Sequence, residues 1–315
     1  MQETYSNRHS VEIDDEIDLR ELIDALFKGK WIIVSVTTFV TIIGVIYSLL
    51  LPNIYESKAL LVPVSSSSGI SRALGSYAGI AGLAGISIPS DGDESNSTKA
   101  INKLSSLSFF EKNILTNIFL PDLMAVKSWD FKTNTLVYDE TIYDTNSNSW
   151  IRDYSYPKNQ IPSAQESYNV FITQHLNLSR DNKTGFITIS IKHQSPFLAK
   201  QWTELVINEV NAFYREKDKL ESEKSVSYLN QQISMTNLAQ IKQVIAELLQ
   251  EETQKLTLIE ANQFYVFDYI DPPAVMEQKS EPKRSIISIL GALLGLMLGV
   301  ALVFIKHYAF KEKLS

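Results

Sequence analysis

Apolar residues are spread unevenly along the chain, and two runs dominate the pattern. Residues 31–51 and 285–305 each hold 21 positions without a charge. At about 1.5 Å of rise per residue, either run as a helix crosses a hydrocarbon core of roughly 30 Å. Both are predicted to be membrane helices. The first carries Ser35, Thr37, Thr38, Thr41 and Ser48, whose hydroxyls can bond back to the helix or across to a neighbour. A cleaved secretory signal is the alternative for the first run. It is disfavoured because a 30-residue acidic stretch precedes the run and no small-residue cleavage site follows Leu51.

Between and before these runs the pattern changes period. In residues 13–30, Ile13, Ile17, Leu22, Ile23, Leu26 and Phe27 fall near one helical face, opposite Asp15, Glu16, Asp18, Arg20, Glu21 and Asp24. An amphipathic helix against the membrane and a solvated acidic leader are both open readings. Residues 55–64 form a compact apolar run expected to be a buried strand. Residues 65–97 turn to serine and glycine, with Gly69, Gly75, Gly79, Gly82, Gly85 and Gly92 among scattered apolar positions. Close backbone packing and a long loop are both compatible with that composition. Residues 98–126 read as helix interrupted by Pro121. Residues 127–165 mix aromatics with Asn, Ser, Asp and Pro and resolve only short elements. Residues 186–193 alternate, Ile187, Ile189 and Ile191 against Thr188, Ser190 and Lys192, as a half-buried strand does.

Ser195-Pro196 is a strong helix start, and neither glycine nor proline occurs in residues 197–271. An unbroken helix over 196–261 would measure about 100 Å. Residues 264–270, however, are aromatic and β-branched and suit a strand beside the earlier ones. A fold-back within residues 221–237 is therefore expected. The chain is assigned to the α+β class, as a two-transmembrane-helix protein with an α/β base domain and a long helical hairpin. The expected domains are a leader at 1–30, the first span at 31–51, an outer domain at 52–284 with long helices at 196–262, the second span at 285–305 and a tail at 306–315.

Arg20, Lys28 and Lys30 precede the first span and only Lys58 follows it closely, which keeps the N-terminus cytoplasmic. A second span returns the C-terminus to that side and leaves residues 52–284 outside. The net charge of -7 offers no basic patch for nucleic acid. With no cysteine, disulfides, thiolate metal sites and a cysteine nucleophile are excluded. His175 and His193 lack an H-E-x-x-H spacing and are expected to be ordinary strand or surface residues, and there is no G-x-S-x-G and no G-x-x-x-x-G-K-[ST]. Glu251-Glu252 lies in a charged helical stretch that a solvated face explains. No catalytic, cofactor or metal site is expected. The candidates are structural. Gly291, Gly295 and Gly299 form a doubled G-x-x-x-G for transmembrane helix packing, read as a contact between copies, although glycine is also simply common in membrane helices. Pro272, Pro273, Pro282 and Lys283 mark a proline-rich juxtamembrane motif that would make a semi-rigid link, an ordinary linker being the alternative.

Certain local runs carry a family likeness: Glu16-Ile-Asp-Leu-Arg-Glu-Leu, Gly29-Lys30-Trp31 and Pro52-Asn53-Ile54-Tyr55-Glu56-Ser57 near the first span. Later come Ser195-Pro196, Tyr228-Leu229, Asp271-Pro272-Pro273, Ser280-Glu281-Pro282-Lys283 and the glycine-spaced span. In order and spacing these resemble the Wzz chain-length determinant family, the polysaccharide co-polymerases, in the form without a kinase domain. Residues 65–185 show no such likeness. The resemblance implies a Gram-negative inner-membrane protein with both termini cytoplasmic and a periplasmic domain that assembles into a closed ring, a homo-oligomer. Such a ring, non-enzymatic, would set the length of a lipid-linked polysaccharide of O-antigen type together with a Wzy-type polymerase. A capsule or exopolysaccharide export component working with a separate kinase is the alternative. A two-span sensor or adhesion ectodomain fits less well, since the expected cytoplasmic parts are short.

Overall fold

The computed structural model describes residues 19–64, 96–262 and 264–312. The start of the expected amphipathic leader and most of the serine- and glycine-rich segment lie outside the described residues. The chain divides into two compact units, Met1–Leu51 with Pro282–Ser315, and Pro52–Glu281.

In chain order the main helices are α1 (Leu19–Lys28), α2 (Lys30–Leu50), α3 (Asn96–Leu104), α4 (Ala164–Val170), α5 (Pro196–Met235), α6 (Ala239–Ala261) and α7 (Arg284–Glu312). The strands are β1 (Tyr55–Pro63), β2 (Val126–Asp130), β3 (Thr135–Tyr138), β4 (Tyr143–Asp144), β5 (Ser149–Trp150), β6 (Leu176–Arg180), β7 (Ile187–His193) and β8 (Phe267–Asp271). In the first unit, α2 and the stretch Arg284–His307 of α7 are long and apolar enough to cross a membrane. Helix α2 ends at Leu50 because Pro52 pushes the preceding Leu51 into extended backbone, ψ 137°.

The second unit is built on a four-stranded antiparallel sheet in the order β6-β7-β1-β8. Its register pairs Ser57 with Ile191, Ala59 with Ile189 and Leu61 with Ile187, so small and branched residues alternate across one buried face. Ser190, expected on a solvated face, is also buried, and its hydroxyl donates to Glu56 Oε1 at 2.8 Å. Helix α5 covers the sheet with Ala199, Trp202, Val206, Ile207 and Val210, all buried at helical spacing. A second layer of the same core holds Phe109, Phe110, Ile114 and Phe171, with the Phe110 and Phe171 rings 5.1 Å apart. The expected helix over 98–126 is broken into short turns. Pro121 opens a new turn (Leu120–Met124) rather than merely interrupting one, and Val126 already begins β2.

Helix α5 starts as its sequence dictates: the Ser195 hydroxyl accepts the Leu198 N–H and Pro196 occupies the first turn. It ends at Met235, and α6 returns after Thr236–Leu238, at the C-terminal edge of the expected fold-back window. Asn211 explains that length. Its Oδ1 accepts the N–H groups of Val266 and Phe267 at 2.8 and 2.9 Å, and its Nδ2 donates to Phe267 C=O at 3.0 Å. The start of β8 is thus pinned beside Asn211. From there to Met235 the outgoing helix rises about 36 Å, and the 23-residue return helix about 35 Å. The two arms match. Tyr265 O–H donating to Asp218 at 2.6 Å and the Lys219–Glu260 ion pair at 2.5 Å close the base of the hairpin.

Candidate functional site

The glycine stripe of α7 lies on α2 of the same chain. A Cβ at Gly291 would stand 3.7 Å from the Val40 carbonyl and 3.8 Å from Thr41 Cα, with Gly44 of α2 opposite it. The approach then tightens. A Cβ at Gly295 would meet Thr37 Cα at 2.8 Å, and one at Gly299 would meet Ile33 Cα at 2.9 Å. Backbone cannot yield there, so only glycine fits. The sequence suggested a contact between copies. In the structure the face is filled by the neighbouring span of the same chain. At one end of the pair, Arg284 Nε donates to the Ser48 carbonyl at 3.3 Å, a cation at the C-terminal end of α2. At the other end the chain turns at Gly29, whose missing side chain makes room for Val303.

The proline motif falls into two parts. Within the second unit, Pro272 ends β8 by removing a backbone donor, and Pro273 is buried. The following residues run back along the start of β1. Ser57 Oγ donates to the Ala274 carbonyl at 2.8 Å, Ser280 N–H to the Ile54 carbonyl at 2.8 Å, and Ile54 N–H to the Glu281 carbonyl at 3.0 Å. Lys279 reaches Asn53 Oδ1 at 3.2 Å. Lys192 pairs with Glu281 at 2.6 Å, and that bond holds the lysine pKa above its ordinary value. The two places where the chain enters and leaves this unit are therefore tied together. In the first unit, the Lys283 carbonyl accepts the Ile286 N–H at 2.9 Å as α7 begins. Pro273 is buried, and the carbonyls of Pro282 and Lys283 accept the first N–H groups of α7. Ser57, Lys192 and Glu281 hold the segment in place; the sequence offered Ser57 and Glu281 only as members of the family-like runs and Lys192 only as a polar position of an alternating strand.

His193 is the last residue of β7, as a strand residue was expected to be, and both it and His175 are buried, their rings stacked 5.6 Å apart against Trp202. His193 Nε2 faces the Asp122 carbonyl at 3.0 Å and Nδ1 accepts the Ser195 N–H at 2.9 Å. This joins β7 to the start of α5. Among the described residues no three of His, Cys, Asp and Glu come together to hold a metal ion.

Residues 15–116 match the Wzz family model, chain length determinant protein. Residues 230–308 match the GNVR model, G-rich domain on putative tyrosine kinase. Among solved structures the chain is similar to a full-length bacterial polysaccharide co-polymerase, with 14% identity over 93% of this chain and 99% of that one and a TM-score of 0.39. It is also similar to a fragment of WzzB, a polysaccharide co-polymerase from Salmonella Typhimurium, with 12% identity over 73% of this chain and 100% of that one and a TM-score of 0.28. A variant of the Shigella flexneri lipopolysaccharide O-antigen chain-length regulator WzzBSF matches at 12% identity over 72% of this chain and 100% of that one, with a TM-score of 0.23. No curated protein matches the chain.

Proposed function

We propose that this chain, which belongs to the Wzz chain-length determinant family, is a non-enzymatic regulator of surface polysaccharide length, working as a closed ring of identical subunits in the inner membrane of a Gram-negative bacterium. In this reading both termini are cytoplasmic, residues 52–284 are periplasmic, and the ring limits how far a Wzy-type polymerase extends a lipid-linked, O-antigen-like glycan. The observation that carries the proposal is the pair of family matches, which cover both candidate spans and the regions that flank them. The tied entry and exit of the second unit supports it further. Through the Ile54–Glu281 pairing and the Lys192–Glu281 bond, load on the sheet reaches the proline segment without passing through a slack linker. Pro272, Pro273, Pro282 and Lys283 are the proposed coupling elements, and Gly291, Gly295 and Gly299 the proposed packing elements.

Deleting the gene and resolving the surface glycan on a gel tests the proposal. Loss of a preferred length is expected, and an unchanged ladder would overturn it. A capsule or exopolysaccharide export component with a separate kinase is a second reading, favoured by the match of residues 230–308 to a domain found on putative tyrosine kinases. Under that reading the deletion strain loses its capsule while any O-antigen ladder stays the same.

A further inference from the structure

Residues 117–229 lie between the two family matches, and within them stands a small aromatic module. Strands β2 and β3 form one hairpin and β4 and β5 another, each turning through an asparagine with positive φ, Asn134 and Asn148. Tyr143 is its buried hub. Its ring lies 5.2 Å from Trp150, 5.9 Å from Tyr138 and 6.3 Å from Phe119. Beside Trp150 opens a cavity of about 380 Å³, lined by the apolar Met124, Ile142 and Pro162 and the polar Thr141, Arg152 and Asp153. That is the low end of the size range of small-ligand sites. It suits a short stretch of a chain molecule, not a folded partner.

The polar groups define the ligand. Arg152 is spent as a wall: its guanidinium binds both Glu166 oxygens at 2.5 and 2.8 Å and the carbonyls of Gln160 and Asn159 at 2.9 and 2.6 Å. Lys158 approaches the same Glu166 at 3.8 Å, so the two cations are balanced only when Asp153 at the cavity is counted with Glu166, and the site as a whole carries no net positive charge for a phosphate or carboxylate. Asp153 is exposed and adds an acceptor, and Thr141, whose hydroxyl donates to Asp139 at 2.7 Å, presents an oxygen that can still accept. A ligand for this site therefore has an apolar face for an indole and outward hydroxyls that donate. That is a sugar ring, with its C–H face on the aromatic and its hydroxyls on the rim. Two more aromatics follow in the same loop, Tyr154 and Tyr156, the latter 96% exposed.

We infer that the cavity beside Trp150, with Asp153 and Thr141 at its edge, binds a neutral stretch of polysaccharide. The identity of that glycan as the polymerising chain rests on the reading above; the binding itself does not. The test uses the full chain in nanodiscs. The probe is an oligosaccharide mixture from partial hydrolysis of the delipidated surface polysaccharide of the source bacterium, with binding followed by calorimetry. Binding by the parent chain is expected, with about tenfold weakening in Trp150→Ala, the scale of one good aromatic contact. A smaller loss is expected in Asp153→Asn, an exposed position where folding is not at stake. Absence of binding by the parent chain, or unchanged affinity in Asp153→Asn and in a Trp150→Ala protein that melts like the parent, overturns the inference. The glycan gel separates the two claims. Weakened binding with an unchanged ladder in the deletion strain would keep this site and remove the length-control reading, and the converse pair of results would do the opposite.

Discussion

Asn211 carries much of the hairpin's attachment to the sheet. It is buried and serves three backbone groups at the point where β8 begins. Asn211→Ala leaves those groups unpaired in the core, at about 1–3 kcal/mol for each that cannot reach water. A net loss of about 3 kcal/mol in unfolding free energy is expected, with faster hydrogen exchange at Val266 and Phe267; unchanged exchange there would refute the pinning role. His193 makes a second residue-level case. Its partners fix the neutral ring with the proton on Nε2, because Nδ1 must accept the Ser195 N–H. Burial, with His175 stacked on it, pushes its pKa down to about 4 from the ordinary 6.5; desolvation lowers His175 too. The other charged groups around it face away: the Asp122 carboxylate accepts from Tyr138 at 2.6 Å and Lys192 points to Glu281. In the unfolded chain the imidazole gains its proton as pH falls below about 6.5, whereas the folded chain resists until about 4. Stability is thus full above about pH 6.5 and drains away down to about pH 4, by about 3 kcal/mol. Melting curves across that range should show His193→Gln losing much of the slope. Equal slopes in parent and variant would assign the loss to His175, whose pKa burial also lowers, or to carboxylates, and remove His193 from it.

Helices α2 and α7 were legible from composition alone, since uncharged runs of that length have few other structures open to them. The hairpin was legible too, because a stretch without glycine or proline had to end in a strand. Its turn was harder to place. Thr236, Asn237 and Leu238 include no strong breaker, and the position is set by matching arm lengths counted from Asn211, a tertiary contact. The same contact delays β8 to Phe267, three residues after the aromatic run begins. The module at 126–150 escaped because two- to five-residue strands carry no period, and ring contacts around Tyr143 hold it together instead. For the glycine stripe, the spacing was legible but not its partner, since small-residue faces look the same whether the neighbour is the same chain or another. That partner can be tested. Cys is otherwise absent, so Thr41→Cys with Gly291→Cys should form a disulfide within one chain, their positions being in contact. Adding Gly295→Leu, which drives a side chain into the Thr37 backbone, should cut the yield severalfold. A yield unaffected by the leucine, or cross-links only between chains, would reject the intrachain pairing.

The hairpin has more apolar surface than one copy of the chain can use. Helix α6 turns Ile245 and Ile259 onto α5, where both are buried. A second stripe, Ile241, Val244 and Leu248, recurs at helical spacing but stays nearly half exposed, and Leu238 and Met235 at the tip are more exposed still. A helix with two apolar stripes and one neighbour leaves surface that water penalises, and such surface marks an interface. A second copy of the chain is the occupant that the ring reading requires, because in a ring every hairpin has an identical neighbour on each side. Changing Ile241, Val244 and Leu248 together to Ser touches neither the α5 contact nor the candidate spans, so insertion and the circular dichroism spectrum should persist. The mass of the assembly on native gels should fall, and the glycan should lose its preferred length in the same strain. An assembly of unchanged mass would exclude this stripe as the contact. A smaller assembly with a normal glycan ladder would separate ring formation from length control, which the proposed function holds to be one property.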